Sequence, residues 1–424
     1  MPDVETRDGD AAARRATGPL QALNFFMADM QAGVGPFLGV YLQQRGWAAG
    51  GIGLVMTLGG VAGMVMTTPA GALIDASTRK RSWVIASGVF TLLASTLIFF
   101  SQRFWVVASS QVATAVAGAA IGPAVAGVTL GIVRQRGFNR QNGRNQAFNH
   151  AGNMVGAGLS GLLGWRFGFV AVFALAAAFG ALSIASVLMI PRSAIDDRAA
   201  RGLEDKDGVD DPGAAKGLQV LLECRPLLVL AAALALFHLG NGAMLPLFGL
   251  AVVAAHQGDP AGVVALTIVV AQGVMIAAAL VAMKMAEKQG YWLVLLITFL
   301  VLPVRGLIAA SVIKGWGVWP VQALDGIGAG LQSVAVPGLV ARILSGTGRV
   351  NVGQGAVMTI QGLGASLSPA LGGLIADRLG YPPTFIILGA VSIGSLLLWL
   401  GFAPMLRPAC AAPTPGAGDR RVPA

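Results

Sequence analysis

The sequence predicts an all-α membrane protein whose twelve transmembrane helices form two pseudo-symmetric six-helix bundles. Composition is the first observation: apolar residues make up 55% of the 424 residues, charged residues only 11%, and the mean hydropathy is +0.72. A soluble domain is far less apolar. Apolar runs of about 20 residues, the length that crosses a bilayer, also recur about twelve times along the chain.

An internal repeat is the third observation. Residues 161–173 (GLLGWRFGFVAVF) align without gaps to residues 373–385 (GLIADRLGYPPTF), at an offset of 212 residues, half of the 424-residue chain. The identical positions pair Gly161 with Gly373, Leu162 with Leu374, Arg166 with Arg378, Gly168 with Gly380 and Phe173 with Phe385. An apolar chain of two equivalent halves is typical of membrane transporters, whose substrate site lies between the repeats near the middle of the bilayer.

The predicted elements follow in order from the N-terminus. Residues 1–19 form a polar tail that is too hydrophilic for a signal peptide, so the first apolar segment should remain as a membrane helix. The predicted spans are residues 20–43, 50–74, 83–101, 104–132, 146–165, 169–190, 226–253, 260–283, 291–313, 316–342, 353–376 and 383–405. They predict an N-terminal bundle (20–190) and a C-terminal bundle (226–405). The polar segment 191–225 predicts a flexible cytoplasmic linker, and residues 406–424 a disordered tail.

Basic residues fall mostly on one side of the predicted membrane. With the N-terminus inside, 23 of the 29 Lys and Arg residues lie in cytoplasmic segments. The other six are Arg45, Arg103, Arg166, Arg305, Lys314 and Arg378. This bias satisfies the positive-inside rule, so both termini are expected in the cytoplasm. It also explains the pI of 10.4 without a nucleic-acid partner, because the cations are dispersed over short loops.

The sequence contains little that indicates catalysis, cofactors or metals. Cys224 and Cys410 have neither disulfide nor metal-ligand spacing, and the three histidines are widely scattered. No Gly-rich phosphate loop with a following Lys and Ser or Thr occurs, so ATP-driven pumping is not expected. We therefore expect no enzyme, no cofactor and no bound metal. The excess of Arg over Lys, 23 to 6, with abundant Ala and Gly, indicates a GC-rich bacterial genome and a bacterial cytoplasmic membrane.

Three charged residues lie well inside predicted spans: Asp29, Arg305 and Asp325. A charge at a helix centre costs about 2.5–3.5 kcal/mol on insertion scales, so each should face a cavity or a partner. Arg305 lies about eight residues before the end of span nine, and Asp325 about nine after the start of span ten. At ~1.5 Å rise per residue, the two lie at similar depth on adjacent antiparallel helices. An ion pair is predicted there, either as a structural brace or as part of a substrate site.

The turn between spans two and three reads GALIDASTRKR over residues 71–81. It resembles the Gly-x-x-x-Asp-Arg-x-Gly-Arg-Arg loop of the major facilitator superfamily, as do the six-plus-six spans and the long middle loop. Gly71, Asp75, Arg79 and Lys80 match that loop's first Gly, its Asp and its final basic pair. The basic residue after the Asp and the second Gly are absent here.

The resemblance implies a gating role for these four residues. In the superfamily the Asp docks on the start of span eleven and the basic residues pair across spans, which holds one gate closed until the two bundles rock. Asp75 suits this role because a carboxylate is stabilised at the positive N-terminus of a neighbouring helix. A plain positive-inside anchor is the alternative interpretation of the same residues.

Asp29 is the predicted proton-coupling residue. No cation in the N-terminal spans neutralises it, and the 212-residue offset makes Asn241 its counterpart in span seven. The resemblance implies that spans one and seven line the central cavity. A carboxyl in apolar surroundings takes up a proton more readily than one in water, which suits a proton-driven cycle. A hydrogen-bonded Asp that only packs helices is the competing interpretation.

Further polar side chains within spans are predicted to contact the substrate. His238 lies on the same helix as Asn241 and could also relay a proton. The full predicted set is Asn24, Gln111, His238, Asn241, Gln272, Arg305, Asp325, Gln332 and Gln361. Amides in membrane helices also stabilise helix packing, which is the alternative for each of them.

These observations predict a secondary active transporter that works as a monomer by alternating access, with a small-molecule substrate, protons and the lipid bilayer as partners. Apolar side chains near the predicted site favour proton-coupled efflux of small organic molecules, as in the drug–proton antiporters of the superfamily. Those antiporters carry a Gly-Pro-x-x-Gly-Gly segment in span five. Residues 156–161 lack its Pro, whereas their repeat partner contains Pro369. Uptake of an organic anion bound by Arg305, and a non-transporting receptor or scaffold, are the alternatives.

Overall fold

The computed structural model describes residues 15–28, 34–201, 224–344 and 350–411, and this part of the chain is helical without any strand. The helices are α1 (15–28), α2 (Val34–Gln43), α3 (Ala49–Ala76), α4 (Lys80–Phe100), α5 (Phe104–Ala119), α6 (Ile121–Phe167), α7 (Phe169–Leu188), α8 (Arg225–Asn241), α9 (Met244–Ala254), α10 (Pro260–Gln289), α11 (Tyr291–Ser311), α12 (Val318–Ile343), α13 (Val350–Leu379), α14 (Tyr381–Gly401) and α15 (Ala403–Cys410). Short 3-10 turns lie at Arg192–Ala194, Ala199–Arg201 and Gly315–Gly317.

Helix length and composition suit a membrane. Within the described ranges, nine helical segments are long and apolar enough to cross a bilayer: Ala49–Thr67, Lys80–Phe100, Phe104–Arg134, Phe169–Leu188, Arg225–Ala254, Pro260–Gln289, Tyr291–Ser311, Gly315–Ile343 and Tyr381–Gly401. The predicted first span includes residues 29–33, which lie outside the description. The predicted fifth span contains five Gly residues and three amide side chains, and the predicted eleventh contains six Gly residues and two amide side chains.

The predicted fourth and fifth spans are joined by a sharp break inside α6. The break lies at Arg134, whose φ of 57° and ψ of 177° are not helical. The two arms of α6, before and after Arg134, fold back on each other. Asn145 Nδ2 in the second arm donates to Thr129 Oγ1 in the first at 3.0 Å. Gln141 Nε2 donates to Asn145 Oδ1 at 2.9 Å, so a buried chain of three polar side chains joins the arms.

The internal repeat is also visible in the backbone. Gly168 (φ 77°, ψ 179°) separates α6 from α7, and Gly380 (φ 81°, ψ 173°) separates α13 from α14. Residues with a Cβ rarely adopt this conformation, so both positions require Gly. Phe173 and Phe385, which follow at the same spacing, are both buried. The same conformation 212 residues apart agrees with two pseudo-symmetric halves.

The described residues fall into two compact units. The first takes segments from both halves of the sequence, whereas the described segments of the second all come from the C-terminal half. The first contains the described residues within Met1–Asp210 together with Gly249–Val269 and Pro369–Asp377. The second contains those within Asp211–Phe248, Val270–Ser368 and Arg378–Ala424.

The core of the first unit consists of branched aliphatic and small side chains from α1, α3, α4, α6 and the end of α7. Leu20, Leu23, Ile74, Val128 and Ile190 are each no more than 1% exposed. Lipid tails are as apolar as these side chains, so close packing stabilises the unit more than exclusion of water does.

Aromatic rings and a glycine contact organise the second unit. The Phe299 ring on α11 lies 6.0 Å from the Phe237 ring and 5.5 Å from the Trp399 ring, measured between centroids. A Cβ on Gly306 would lie 3.1 Å from Gly389 Cα, so α11 and α14 approach closely at this point. The approach fixes α11 beside α14.

The last helix, α15, packs on the second unit. Arg342 Nη1 donates to the Cys410 carbonyl at 3.2 Å and to the Ala411 carbonyl. The Arg407 guanidinium lies 4.4 Å from the Trp292 ring centroid, within cation–π distance. Burial raises the pKa of the Cys410 thiol to about 12, although the Arg342 cation acts in the opposite direction.

We expect the Cys410 thiol to resist alkylation until the pH is high. Its folded pKa of about 12 exceeds the ordinary 9.0, so the neutral thiol contributes stability that is complete below pH 9.0 and is lost as the pH rises through about 12. Mass spectrometry after iodoacetamide treatment measures this in a Cys224→Ser variant. Half-buried Cys224 in a Cys410→Ser variant is the reference. Equal labelling rates at about pH 8 would contradict the packing of α15.

Candidate functional site

A buried cation on α11 is the centre of the candidate site. Arg305 is 0% exposed, and its guanidinium reaches α12. Nε donates to the Val321 carbonyl at 3.1 Å, and Nη2 donates to Gln322 Oε1 at 3.1 Å. A guanidinium always carries its charge, so it requires neutralisation and hydrogen-bond acceptors in these surroundings.

Asp325 and Asn241 supply the remaining acceptors. Arg305 Nη1 donates to Asp325 Oδ1 at 2.8 Å and to Asn241 Oδ1 at 2.5 Å. Asn241 Nδ2 donates to the same Asp325 oxygen at 3.2 Å. Three side chains from α8, α11 and α12 therefore form a closed triangle, which we call the Arg305 triangle. It contains the ion pair that the depth of the two residues predicted.

The charges of the triangle are unequally shielded. Four of the five N–H groups of Arg305 are engaged, and its side chain is 1% exposed. The Asp325 side chain is 13% exposed, and its Oδ2 accepts no hydrogen bond from any residue in the described part of the chain. The carboxylate is thus the accessible member of the pair.

A second polar contact joins the same helices, α8 and α12. His238 Nε2 lies 3.1 Å from Gln332 Oε1. The Nε2 atoms of Gln332 and Gln322 are both buried, and neither finds an acceptor among the residues described. Buried amide donors normally have a partner, so these two N–H₂ groups are exceptions in the second unit.

The structure brings together five of the predicted substrate residues, namely His238, Asn241, Arg305, Asp325 and Gln332. The other predicted residues lie elsewhere. Gln111, Gln272 and Gln361 are half-buried on α5, α10 and α13. Asn24 Nδ2 donates to the Leu20 carbonyl at 2.8 Å within its own helix. Asp29, the predicted proton-coupling residue, lies outside the described residues.

Gln322 is the site residue that the sequence prediction omitted. Its side chain is 0% exposed and accepts a hydrogen bond from Arg305. One signal was present in the sequence: Gln322 lies three residues before Asp325, and residues at that spacing share one face of a helix.

The predicted gating residues have separate surroundings in the structure. Lys80 Nζ donates to the carbonyls of Ile74 at 3.0 Å and Ser77 at 3.3 Å, so it stabilises the C-terminal end of α3. Arg79 is exposed, and a Cβ added at Gly71 would meet no atom within 4 Å. The side chain of Asp75 lies outside the description.

At the other end of α3, the first unit contains a contact with α13. Gly50 N donates to Asp377 Oδ2 at 2.8 Å, and Ala370 N donates to Thr57 Oγ1 at 3.0 Å. Gly50 lies in the first turn of α3, where the backbone N–H groups have no partner within the helix. Gly53 permits the approach, because a Cβ there would collide with the backbone of α13.

Comparison with known proteins identifies the family. Residues 20–351 match the family model of the Major Facilitator Superfamily. The chain belongs to the major facilitator superfamily. Superfamily relatives include uncharacterized MFS-type transporters from two strains of Mycobacterium tuberculosis. Each is 37% identical over 395 residues, which cover 93% of this chain and 94% of the relative.

Solved structures of the same fold agree with this membership. The nucleoside transporter NupG matches with a TM-score of 0.75 at 13% identity, over 92% of this chain and 99% of that one. A POT family transporter in complex with 5-aminolevulinic acid matches with a TM-score of 0.73 at 13% identity, over 92% and 96%. A bacterial homolog of the human lysosomal transporter Spinster matches with a TM-score of 0.71 at 12% identity, over 96% and 99%. The predicted fold class is confirmed, and the chain is a multi-pass membrane transporter of this superfamily.

Removal of Arg305 alone should destabilise this superfamily member strongly. Arg305→Leu leaves the Asp325 carboxylate and two amides without their partner, which costs about 3–5 kcal/mol of unfolding free energy. The double variant Arg305→Leu/Asp325→Leu should recover part of that loss, because no uncompensated charge remains. Thermal unfolding in detergent measures both, with Gln322→Leu as a milder control. Wild-type stability of Arg305→Leu together with lost ligand binding would show that Arg305 contacts substrate and does not brace the helices.

Loss of the Asp377 carboxylate should open the start of α3. Its bond to Gly50 N is charge-assisted and worth about 1.5–3 kcal/mol, so amide exchange there should become roughly 10- to 100-fold faster in Asp377→Ala. Hydrogen–deuterium exchange of peptides that begin at Ala49 measures the change. Asp259→Ala is the matched control, since Asp259, just before α10, accepts a bond of the same 2.8 Å length from Gly262 N in the first turn of that helix. Unchanged exchange in Asp377→Ala would show that the contact contributes nothing to the local stability of the first turn of α3.

Proposed function

We propose that this superfamily member is a secondary active transporter that exports small organic molecules across the bacterial cytoplasmic membrane in exchange for protons. The Arg305 triangle is the observation that supports this best. A buried ion pair is a weak source of stability compared with apolar packing, so its occurrence between apolar helices favours a functional role.

An ion gradient is the energy source that fits the sequence. No phosphate-binding loop for ATP occurs, whereas carboxyl groups lie within apolar segments. Asp29 is the proposed proton carrier, because the predicted N-terminal spans contain no Lys or Arg that could neutralise it. Asp325 is the second candidate, since its Oδ2 has no hydrogen-bond donor in the described residues and its side chain is 13% exposed.

Alternating access is the proposed mechanism, with the N- and C-termini in the cytoplasm and a single chain as the working unit. The hydrogen bond between Asp377 and the first turn of α3 supports it, because helices from the two sequence halves meet there through polar contacts that can break and re-form. The superfamily resemblance assigns Asp75, at the opposite end of α3, a corresponding role at the start of α13.

The proposed substrate is an apolar molecule with a few hydrogen-bond acceptors. The buried N–H₂ groups of Gln322 and Gln332 need acceptors, and the aromatic Phe237 ring lies 5.4 Å from the neighbouring His238 ring. Sites of this kind combine apolar lining with a small number of polar groups that fix orientation.

Uptake of an organic anion by Arg305 is the alternative proposal. Four of the N–H groups of Arg305 already have acceptors, so an incoming carboxylate would have to displace Asp325 or Asn241. Protonation of Asp325 would weaken its hold on the guanidinium and permit that exchange. The geometry disfavours an anionic substrate, because it leaves Arg305 little capacity for a second anion.

Substitution of Asp29 tests proton coupling. A thermal-shift screen of small organic compounds first selects a substrate, and proteoliposomes with an imposed pH gradient then measure its accumulation. Asp29→Asn should abolish gradient-driven accumulation while substrate exchange at equal pH continues, because only the proton-binding step is lost.

Two further variants make the result decisive. Asp259→Asn removes an exposed carboxylate of the same type and should leave driven transport unchanged. Unchanged driven transport in Asp29→Asn, together with its loss in Asp325→Asn, would transfer the coupling role to Asp325. Substrate movement without any proton flux would reject proton coupling altogether.

A further inference from the structure

A strongly basic cavity of about 460 Å³ lies at the start of α4 in the first unit. Four cations line it, namely Arg79, Lys80, Arg81 and Arg192, and Asp197 is the one carboxylate in its lining. Cavities of roughly 300–1,000 Å³ are typical of small-ligand sites. Neither the substrate site nor the proton pathway proposed above uses this cavity.

The arginines of the cavity have few acceptors among the residues described. Arg81 Nη2 donates to the Leu188 carbonyl at 3.1 Å, but its Nε is buried and finds no partner within the described ranges. The guanidinium groups of Arg79 and Arg192 make no hydrogen bond or ion pair with any other described residue. Lys80 differs, because its ammonium group is committed to two carbonyls of the α3 end.

Like charges converge on this cavity. Arg192 is close enough to Arg81 for the two guanidinium groups to repel each other. The N-terminus of α4 faces the same residues and has no side-chain cap, so its positive dipole end adds to the positive potential. Thr78 and Ser82 contribute exposed hydroxyl donors. Such an arrangement of donors and positive charge is stabilised when an anion with several oxygen atoms lies between them.

We propose that the cavity binds the phosphate group of an anionic phospholipid. Guanidinium groups bind phosphate oxygens in a bidentate manner, and Arg81 with Arg192 supplies two of them. The lipid is favoured as the source because α4 is a membrane-spanning helix that begins at Lys80. Arg81 therefore lies at the end of a span, at the depth where lipid phosphates are concentrated. Bound there, the headgroup joins the start of α4 to the turn that follows α7.

Arg192→Gln is the most informative variant. Arg192 is exposed and has no partner in the described chain, so its removal should leave folding intact. The full-length protein in phosphatidylcholine micelles is titrated with phosphatidylglycerol, and thermal stability reports binding. We expect Arg192→Gln to need roughly tenfold more phosphatidylglycerol for the same stabilisation, as for one lost charge-assisted hydrogen bond. Sodium chloride at about 0.3 M screens diffuse attraction.

Arg198→Gln is the matched control, because it removes an exposed arginine of the same segment that does not line the cavity. Its lipid titration should match that of the wild type. Equal losses in Arg192→Gln and Arg198→Gln would overturn the site and leave only diffuse surface charge. Stabilisation of the wild type by inorganic phosphate alone, to the extent seen with phosphatidylglycerol, would overturn the lipid as the source. The absence of any preference for phosphatidylglycerol over phosphatidylcholine would overturn the proposal.

Discussion

A permanently charged guanidinium buried between apolar helices is the constraint on which the second unit depends. Arg305 cannot lose its proton, so the surrounding helices must supply acceptors for it. On α12, Val321 supplies its backbone carbonyl, and Gln322 and Asp325 supply side-chain oxygens from positions i and i+3, which share one face of the helix. Asn241 completes the set where α8 ends and the chain turns towards α9.

The same requirement bears on the function proposed for the triangle. Buried ion pairs are a weak source of stability compared with apolar packing, so stability alone gives little reason for charges at this position. The triangle combines an accessible carboxylate with an inaccessible cation, and the proposed function depends on this difference in exposure.

A related principle applies in the first unit, where backbone groups at helix ends are exposed within an apolar protein. Asp377 satisfies the N–H of Gly50 at the start of α3, and Lys80 satisfies carbonyls at its end. The start of α4 has no such side chain. At the start of α3 the backbone N–H of Gly50 therefore has a partner within the protein. The start of α4 lacks such a partner, which suits it to an external anion.

Much of the fold, and the ion pair of the candidate site, could be predicted from the sequence. Apolar run length determines how many times the chain can cross a bilayer, and the repeat of Gly168 in Gly380 reappears as the same left-handed backbone. Helical rise alone placed Arg305 and Asp325 at one depth, which was sufficient to predict their ion pair.

Only the tertiary structure decided which of the amide side chains contact Arg305 and Asp325. Rise along a helix predicts depth, but the direction in which a side chain points depends on how neighbouring helices are rotated and packed. Asn241 and Gln322 therefore meet Arg305, whereas Asn24 bonds within its own helix. The break at Arg134 and the contact of Asp377 with Gly50 likewise depend on packing between segments distant in sequence, for which no local pattern exists.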